Sequence, residues 1–142
     1  MSTADKFRAA VESGDFTAGL ELFAPDVRFF SPVKFKPFEG IETVSALFRV
    51  LQRTFEDFRY VGQLSGRGEE GDGGPETDTH LLHFRTVVEG KKVEGIDLIQ
   101  LDHRELISTF TVMIRPMSAL QTVSDAILKG LVADGVVPAP AG

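Results

Sequence analysis

The 142 residues suffice for one domain with a full core, and 42% hydrophobic and 25% charged residues are globular proportions that exclude a disordered chain. A net charge of −6 with no basic stripe argues against nucleic acid or an anionic membrane surface as partner. The chain has no cysteine, which excludes disulfides and thiolate chemistry and makes a reducing cytoplasm the expected location. Its N-terminus is charged where a signal peptide needs an apolar core, and no apolar run is long enough to span a membrane.

Phe7, Ala10 and Val11 fall at helical spacing, and Gly14 ends that helix. Asp15 caps a second short helix holding Phe16, Leu20 and Phe23, which stops before Ala24-Pro25. Val27 to Ser31 is a strand halted by Pro32, and 34–40 is a loop. From about Glu42 to Thr54, Val44, Leu47, Phe48 and Leu51 recur at steps of three and four, which predicts an amphipathic helix.

Phe58 to Leu64 reads as a strand running into GRGEEGDGGPE, where five glycines, a proline and four acids predict a mobile acidic loop over 66–76. Thr77 to Pro116 then holds three runs rich in Val, Ile, Leu, Thr and Phe, split by EGKK and DHRE, which predicts three antiparallel strands. A last amphipathic helix runs from about Ser118 to Val132 with Leu120, Val123, Ile127 and Leu131 on one side, and 134–142 is a frayed tail. There are no internal repeats, so residues 1–142 form one domain. Its class is α+β: a curved antiparallel sheet with N-terminal helices on one face and an extra C-terminal helix.

Inside the apolar three-strand block, Asp97 is a lone carboxylate in Gly95-Ile96-Asp97-Leu98-Ile99. Pairing Val88 with Val93 across Gly90-Lys91 puts His80, Leu82, Phe84, Thr86, Gly95, Asp97 and Ile99 on one face. A three-residue loop at 103–105 adds Thr109, Thr111, Met113 and Arg115 to that face, whereas a two-residue loop adds Phe110, Val112 and Ile114 instead. The first is the preferred register, because it makes Arg115 a charge partner for Asp97. Asp97 in such a face has its pKa raised by desolvation, which suits proton transfer near neutral pH. Paired with Arg115, it is instead an inert structural group. His80 is a candidate for touching a ligand, while His83 and His103 belong to the opposite face and a turn. No His, Asp or Glu spacing matches a metal set, and Ser31 has no histidine to make it a nucleophile.

ESGDFTAGLELFAPDVRFFSP, FEGIETVSALF and the GIDLIQLD and LISTFTVMIRP segments resemble the nuclear transport factor 2-like superfamily, and within it SnoaL-like and ketosteroid-isomerase-like proteins, from about Lys6 to Leu120. The resemblance implies a cone-shaped fold with a pocket between sheet and helices, a homodimer, and activities ranging from isomerases and cyclases to non-catalytic proteins. It also maps the isomerase's general base onto Ser31 and its tyrosine onto Phe7, neither of which has the required chemistry. Limonene-epoxide hydrolases carry an arginine where Gly95 stands. The acid that SnoaL-like cyclases use as general acid/base matches Asp97.

Two readings follow. The first is a cofactor-independent acid/base enzyme acting on a small apolar or polycyclic molecule: Asp97 is catalytic, Arg115, His80, Thr111, Met113 and Ser31 contact the ligand, and Phe7, Phe48 and Phe84 wall the pocket. The second is a non-catalytic binding or dimeric scaffold protein with Asp97–Arg115 as a structural pair. The sheet face opposite Asp97, expected to carry Ile96, Leu98, Phe110, Val112 and Ile114, is the expected dimer surface, with the C-terminal helix covering part of it.

Overall fold

In the computed structural model, which describes residues 1–138, Ser2 and Asp5 form a capping box that starts helix α1 (Thr3–Glu12). The Ser2 hydroxyl accepts from the Asp5 amide at 3.1 Å, and the Asp5 carboxylate accepts from the Ser2 amide at 3.0 Å, so two otherwise unpaired donors are satisfied. Asp15 caps α2 (Phe16–Gly19) by accepting from the Ala18 amide, and one 3-10 turn over Leu20–Leu22 follows. Phe23 is not helical: it opens strand β1 (Phe23–Phe30), whose register slips between Phe23 and Arg28, around Pro25. After a two-residue strand β2 (Phe38–Glu39), α3 (Ile41–Thr54) buries Val44, Leu47, Phe48, Val50 and Leu51.

The remaining strands are β3 (Glu56–Glu69), β4 (Glu76–Val88), β5 (Lys91–Leu101) and β6 (Ile107–Arg115), and helix α4 (Met117–Ala133) follows. Among the described residues the strands form one open sheet in the order β2-β1-β6-β5-β4-β3. Its neighbours are antiparallel except β1 and β6, which run parallel, so the sheet is mixed where a wholly antiparallel one was expected. The first and last strands meet only through the intervening helix and hairpins, a connection long enough to allow parallel pairing. The fold is the α+β cone that the sequence implies, with helices on the inner face of a curved sheet. Phe7, Phe23, Phe29, Phe48 and Phe110 form its aromatic centre; Phe110 stacks on Phe29 at 5.3 Å and on Phe23 at 5.9 Å between ring centroids.

The acidic segment 66–76 is not a free loop. Its first four residues continue β3, Glu76 belongs to β4, and only a tight turn separates them. That turn folds over the sheet's outer face. The Gln100 side chain donates to the Glu69 carbonyl at 2.9 Å, and the Glu70 carboxylate accepts from the hydroxyls of Ser108 and Thr109. These bonds explain why Gln100 and Thr109 are buried on a face that is otherwise partly open. The tail is anchored as well over its described part. The Val136 amide donates to the Leu131 carbonyl, Asp134 pairs with Arg53 at 2.8 Å, and Val137 packs on the core. Residues 139–142 of the expected frayed tail lie outside the described residues.

The two hairpins differ from expectation in an instructive way. The β4–β5 turn is Glu89-Gly90, both at positive φ (49° and 81°), and pairs Val88 with Lys91. This moves the expected register by two residues, so every side chain keeps its face. In β6 the expected loop is present: the Asp102 amide donates to the Leu106 carbonyl, and Leu101 pairs with Ile107. The next pair, however, is Gln100 with Thr109, which leaves Ser108 as a bulge. One unpaired residue reverses the faces of the strand beyond it. Phe110, Val112 and Ile114 therefore join Asp97 on the inner face, and Thr111, Met113 and Arg115 point outward.

Candidate functional site

An apolar cavity of about 210 Å³ lies between the inner face of the sheet, α3, α4 and the loop after β1. Phenylalanines supply much of its wall, among them Phe7, Phe48, Phe84 and Phe110. Ser31 and Lys34 line it from the loop, and Ser124, Ile127 and Leu128 line it from α4. Asp97 and Tyr60 supply its polar groups on the sheet.

Asp97 reaches the cavity because strand alternation puts it inward beside Ile99 and Gly95, and it is only 6% exposed. Its carboxyl Oδ2 accepts a hydrogen bond from the Tyr60 hydroxyl at 2.6 Å. Tyr60 pairs with Phe84 and Asp97 with Leu82, so the phenol spans β4 diagonally. Register shifts on both sides of Tyr60 aim it there. Burial pushes the Asp97 carboxyl up to about 7, against the smaller opposing effect of the Tyr60 hydrogen bond. Burial, then the Asp97 charge, pushes the Tyr60 phenol well above its ordinary value. The Arg8 guanidinium stands over the Tyr60 ring at 5.8 Å and pairs with Glu12 on the surface. No Lys or Arg pairs with Asp97 among the described residues. The pair thus holds one proton that is exchangeable near neutral pH, in surroundings that strengthen its electrostatic effect.

Of the residues the sequence nominates, the structure brings Asp97, Phe84, Phe7, Phe48 and Ser31 to this cavity. Arg115 is not among them: it is exposed, and its Nη1 donates to Glu94 Oε1 at 2.9 Å on the outer face. The expected Asp97–Arg115 pair therefore does not form, because of the Ser108 bulge. For the same reason Thr111 and Met113 line a second, outer hollow with Leu98 and Phe35. His80 shares the inner face but sits beyond the cavity, its Nδ1 2.8 Å from Ser65 Oγ and its Nε2 3.3 Å from Asp78 Oδ2. Helix α4 packs on the inner face, where Ala119 and Val123 meet Val88 and Val93, rather than covering the outer one.

Tyr60 is the cavity side chain that sequence reasoning missed. It is the chain's one tyrosine, and Phe58-Arg-Tyr60 alternates as an inward-facing strand should, but the resemblance places the hydroxyl at position 7, which is a phenylalanine. Phe110, Val112 and Ile114 also had a signal. The positions of β6 held by Ile, Phe or Val run 107, 110, 112, 114, and the step of three in an otherwise alternating set marks the bulge.

No match was found among curated proteins. Among solved structures, a steroid delta-isomerase from Pseudomonas aeruginosa is 30% identical with a TM-score of 0.80, over 95% of this chain and 93% of that one. An uncharacterised protein with a cystatin-like fold from Silicibacter pomeroyi is 28% identical with a TM-score of 0.81, over 94% and 88%. The epoxide hydrolase/cyclase-like enzyme SalBIII, at 16% identity and a TM-score of 0.57 over 82% and 90%, shares the fold alone. No described helix is long and apolar enough to cross a membrane. The family model of the SnoaL-like domain matches residues 4–108, which carry α1 to α3 and the strands that hold Tyr60 and Asp97, and the chain belongs to that family.

Proposed function

We propose that the protein is a cofactor-independent proton-transfer enzyme of the isomerase or cyclase type, acting on a small apolar molecule that bears a carbonyl or hydroxyl oxygen. The observation that carries this reading is the buried Asp97 carboxyl, paired with no Lys or Arg among the described residues and with Tyr60 as its hydrogen-bond partner, on the wall of a largely apolar cavity. A carboxyl held at about 7 is present in both forms at neutral pH, so one group takes a proton from carbon and returns it. Similarity to a steroid delta-isomerase supports proton shuttling as the reaction type. Ser31 and Phe7 stand where that chemistry would need a second base and a second hydroxyl, so Asp97 with Tyr60 carries the reaction alone.

Deuterium exchange tests this without knowledge of the substrate. Apolar cyclic ketones incubated with the protein in heavy water should exchange their α-protons faster than in buffer, with the rate rising through a midpoint near pH 7. The Asp97→Asn variant should lose this acceleration. A second reading, a non-catalytic binding protein, is favoured by the same Phe7 and Ser31, and predicts ketones that bind without exchanging.

We further propose a cytoplasmic homodimer joined through the outer sheet face. Leu64, Leu81 and Leu98 lie in register there across β3, β4 and β5, Leu64 is 69% exposed, and Ile96 and Met113 pair with each other on the same face. This patch replaces the expected one, since Phe110, Val112 and Ile114 face inward. Light scattering at micromolar concentration should give twice the chain mass, and Leu64→Lys should return a monomer.

A further inference from the structure

The ionisable groups of the cavity differ in their exposure. Asp97 and Tyr60 are buried on the sheet, whereas Lys34 is exposed on the loop after β1. The loop is built to hold Lys34 at the rim. Ser31 Oγ accepts from the backbone amides of Val33 and Lys34, each at 3.3 Å, which turns the chain back on itself. The Lys34 ammonium then stands 4.2 Å from the centre of the Phe38 ring, itself part of the cavity wall. Among the described residues Lys34 makes no ion pair, and it is the one cation that lines the cavity. In a chain with a net charge of −6, a cation held at the mouth of an apolar cavity without a carboxylate partner is free for a ligand.

Volume sets the size of the body that enters. An apolar cavity of about 150 Å³ accommodates a benzene ring. At about 210 Å³ this one has room for one ring or two fused rings, while anything longer extends past Lys34.

Resting on the proton-transfer reading above, we propose that the substrate class is an amphipathic monocarboxylate. Its apolar body of one or two rings fills the cavity, its reacting end meets Asp97, and its carboxylate stays in water against Lys34. Lys34 is then the residue that selects acids over neutral molecules of the same shape.

Calorimetric titration with naphthylacetate and with its alcohol counterpart, naphthylethanol, tests this. The acid should bind the wild type about threefold to fivefold more tightly, the effect of one partly solvated ion pair. Lys34→Gln should abolish or reverse that preference. Lys36→Gln, which removes an exposed charge from the same loop outside the cavity, should retain it. Equal affinities in the wild type, a preference that survives Lys34→Gln, or one lost equally in Lys36→Gln would each overturn the proposal. So would a failure of both compounds to bind the folded protein. Ketone exchange reports separately: exchange without any preference for acids leaves proton transfer standing and removes the role of Lys34.

Discussion

The Tyr60 hydroxyl donates to Asp97 across an intervening strand at 2.6 Å, and both residues are only 6% exposed. The two have no sequence proximity; β4 between them sets their separation, and the register shifts of β3 set the angle. Because the hydrogen bond favours the ionised carboxylate, Tyr60→Phe should move the Asp97 midpoint upward from about 7. Carbon NMR of the carboxyl would measure this, and an unchanged or lower midpoint would remove Tyr60 from the site. The loss in stability should be about 1 kcal/mol.

Asp97 also makes folding depend on pH in an unusual direction. Its folded pKa lies above the unfolded value of 3.8, so at intermediate pH the folded chain binds the extra proton. The favourable contribution is complete below pH 3.8 and is lost as pH rises to about 7, by about 4 kcal/mol at 1.4 kcal/mol per unit. Asp97→Asn should lack this component. Denaturant melts of both proteins should show the variant gaining on the wild type between pH 4 and 7 and remaining ahead at pH 8. A variant that loses stability at pH 8 would indicate a carboxylate with a partner the structure does not contain.

Gly95 is required by close approach rather than by backbone angle. A Cβ at that position would collide with the Met113 carbonyl oxygen and with the edge of the Phe84 ring. Gly95→Ala should cost about 2–3 kcal/mol and push Phe84 into the cavity. The thermal midpoint should fall by several degrees and ligand affinity should fall with it; a variant as stable as wild type would contradict this packing.

Much of this was legible in the sequence, and the failures share a cause. The helices, the three-strand block and the inward side of Asp97 follow from periodicity, which survives small errors in position. The β4–β5 register slipped by two and cost nothing, because side chains repeat every two residues. The β6 register slipped by one and removed Arg115, Thr111 and Met113 from the site. Glu70 holds that bulge through Ser108 and Thr109, a contact between residues far apart in the chain that no local pattern announces. Tyr60 was missed for a related reason, since its partner lies two strands away.

Glu70→Ala should therefore act well beyond its own turn. It leaves the hydroxyl of Thr109, which is 0% exposed, without its acceptor, at a cost of about 1–2 kcal/mol. Amide exchange should accelerate at Ser108 and Thr109 before it does elsewhere in the sheet. Uniform acceleration throughout would show that the turn does not hold the bulge.

The Ser108 bulge gives this chain a specific route for change over generations. Losing the Thr109 codon while Ser108 stays unpaired would re-phase the rest of β6 in one event. Phe110, Val112 and Ile114 would be exchanged for Thr111, Met113 and Arg115, and a fixed cation would arrive on the face of Asp97. No small number of point substitutions produces so complete a reversal. In this sheet, small insertions and deletions are a larger source of new binding chemistry than changes of residue, and a descendant differing by one residue in length would hold a polar cavity on the same scaffold.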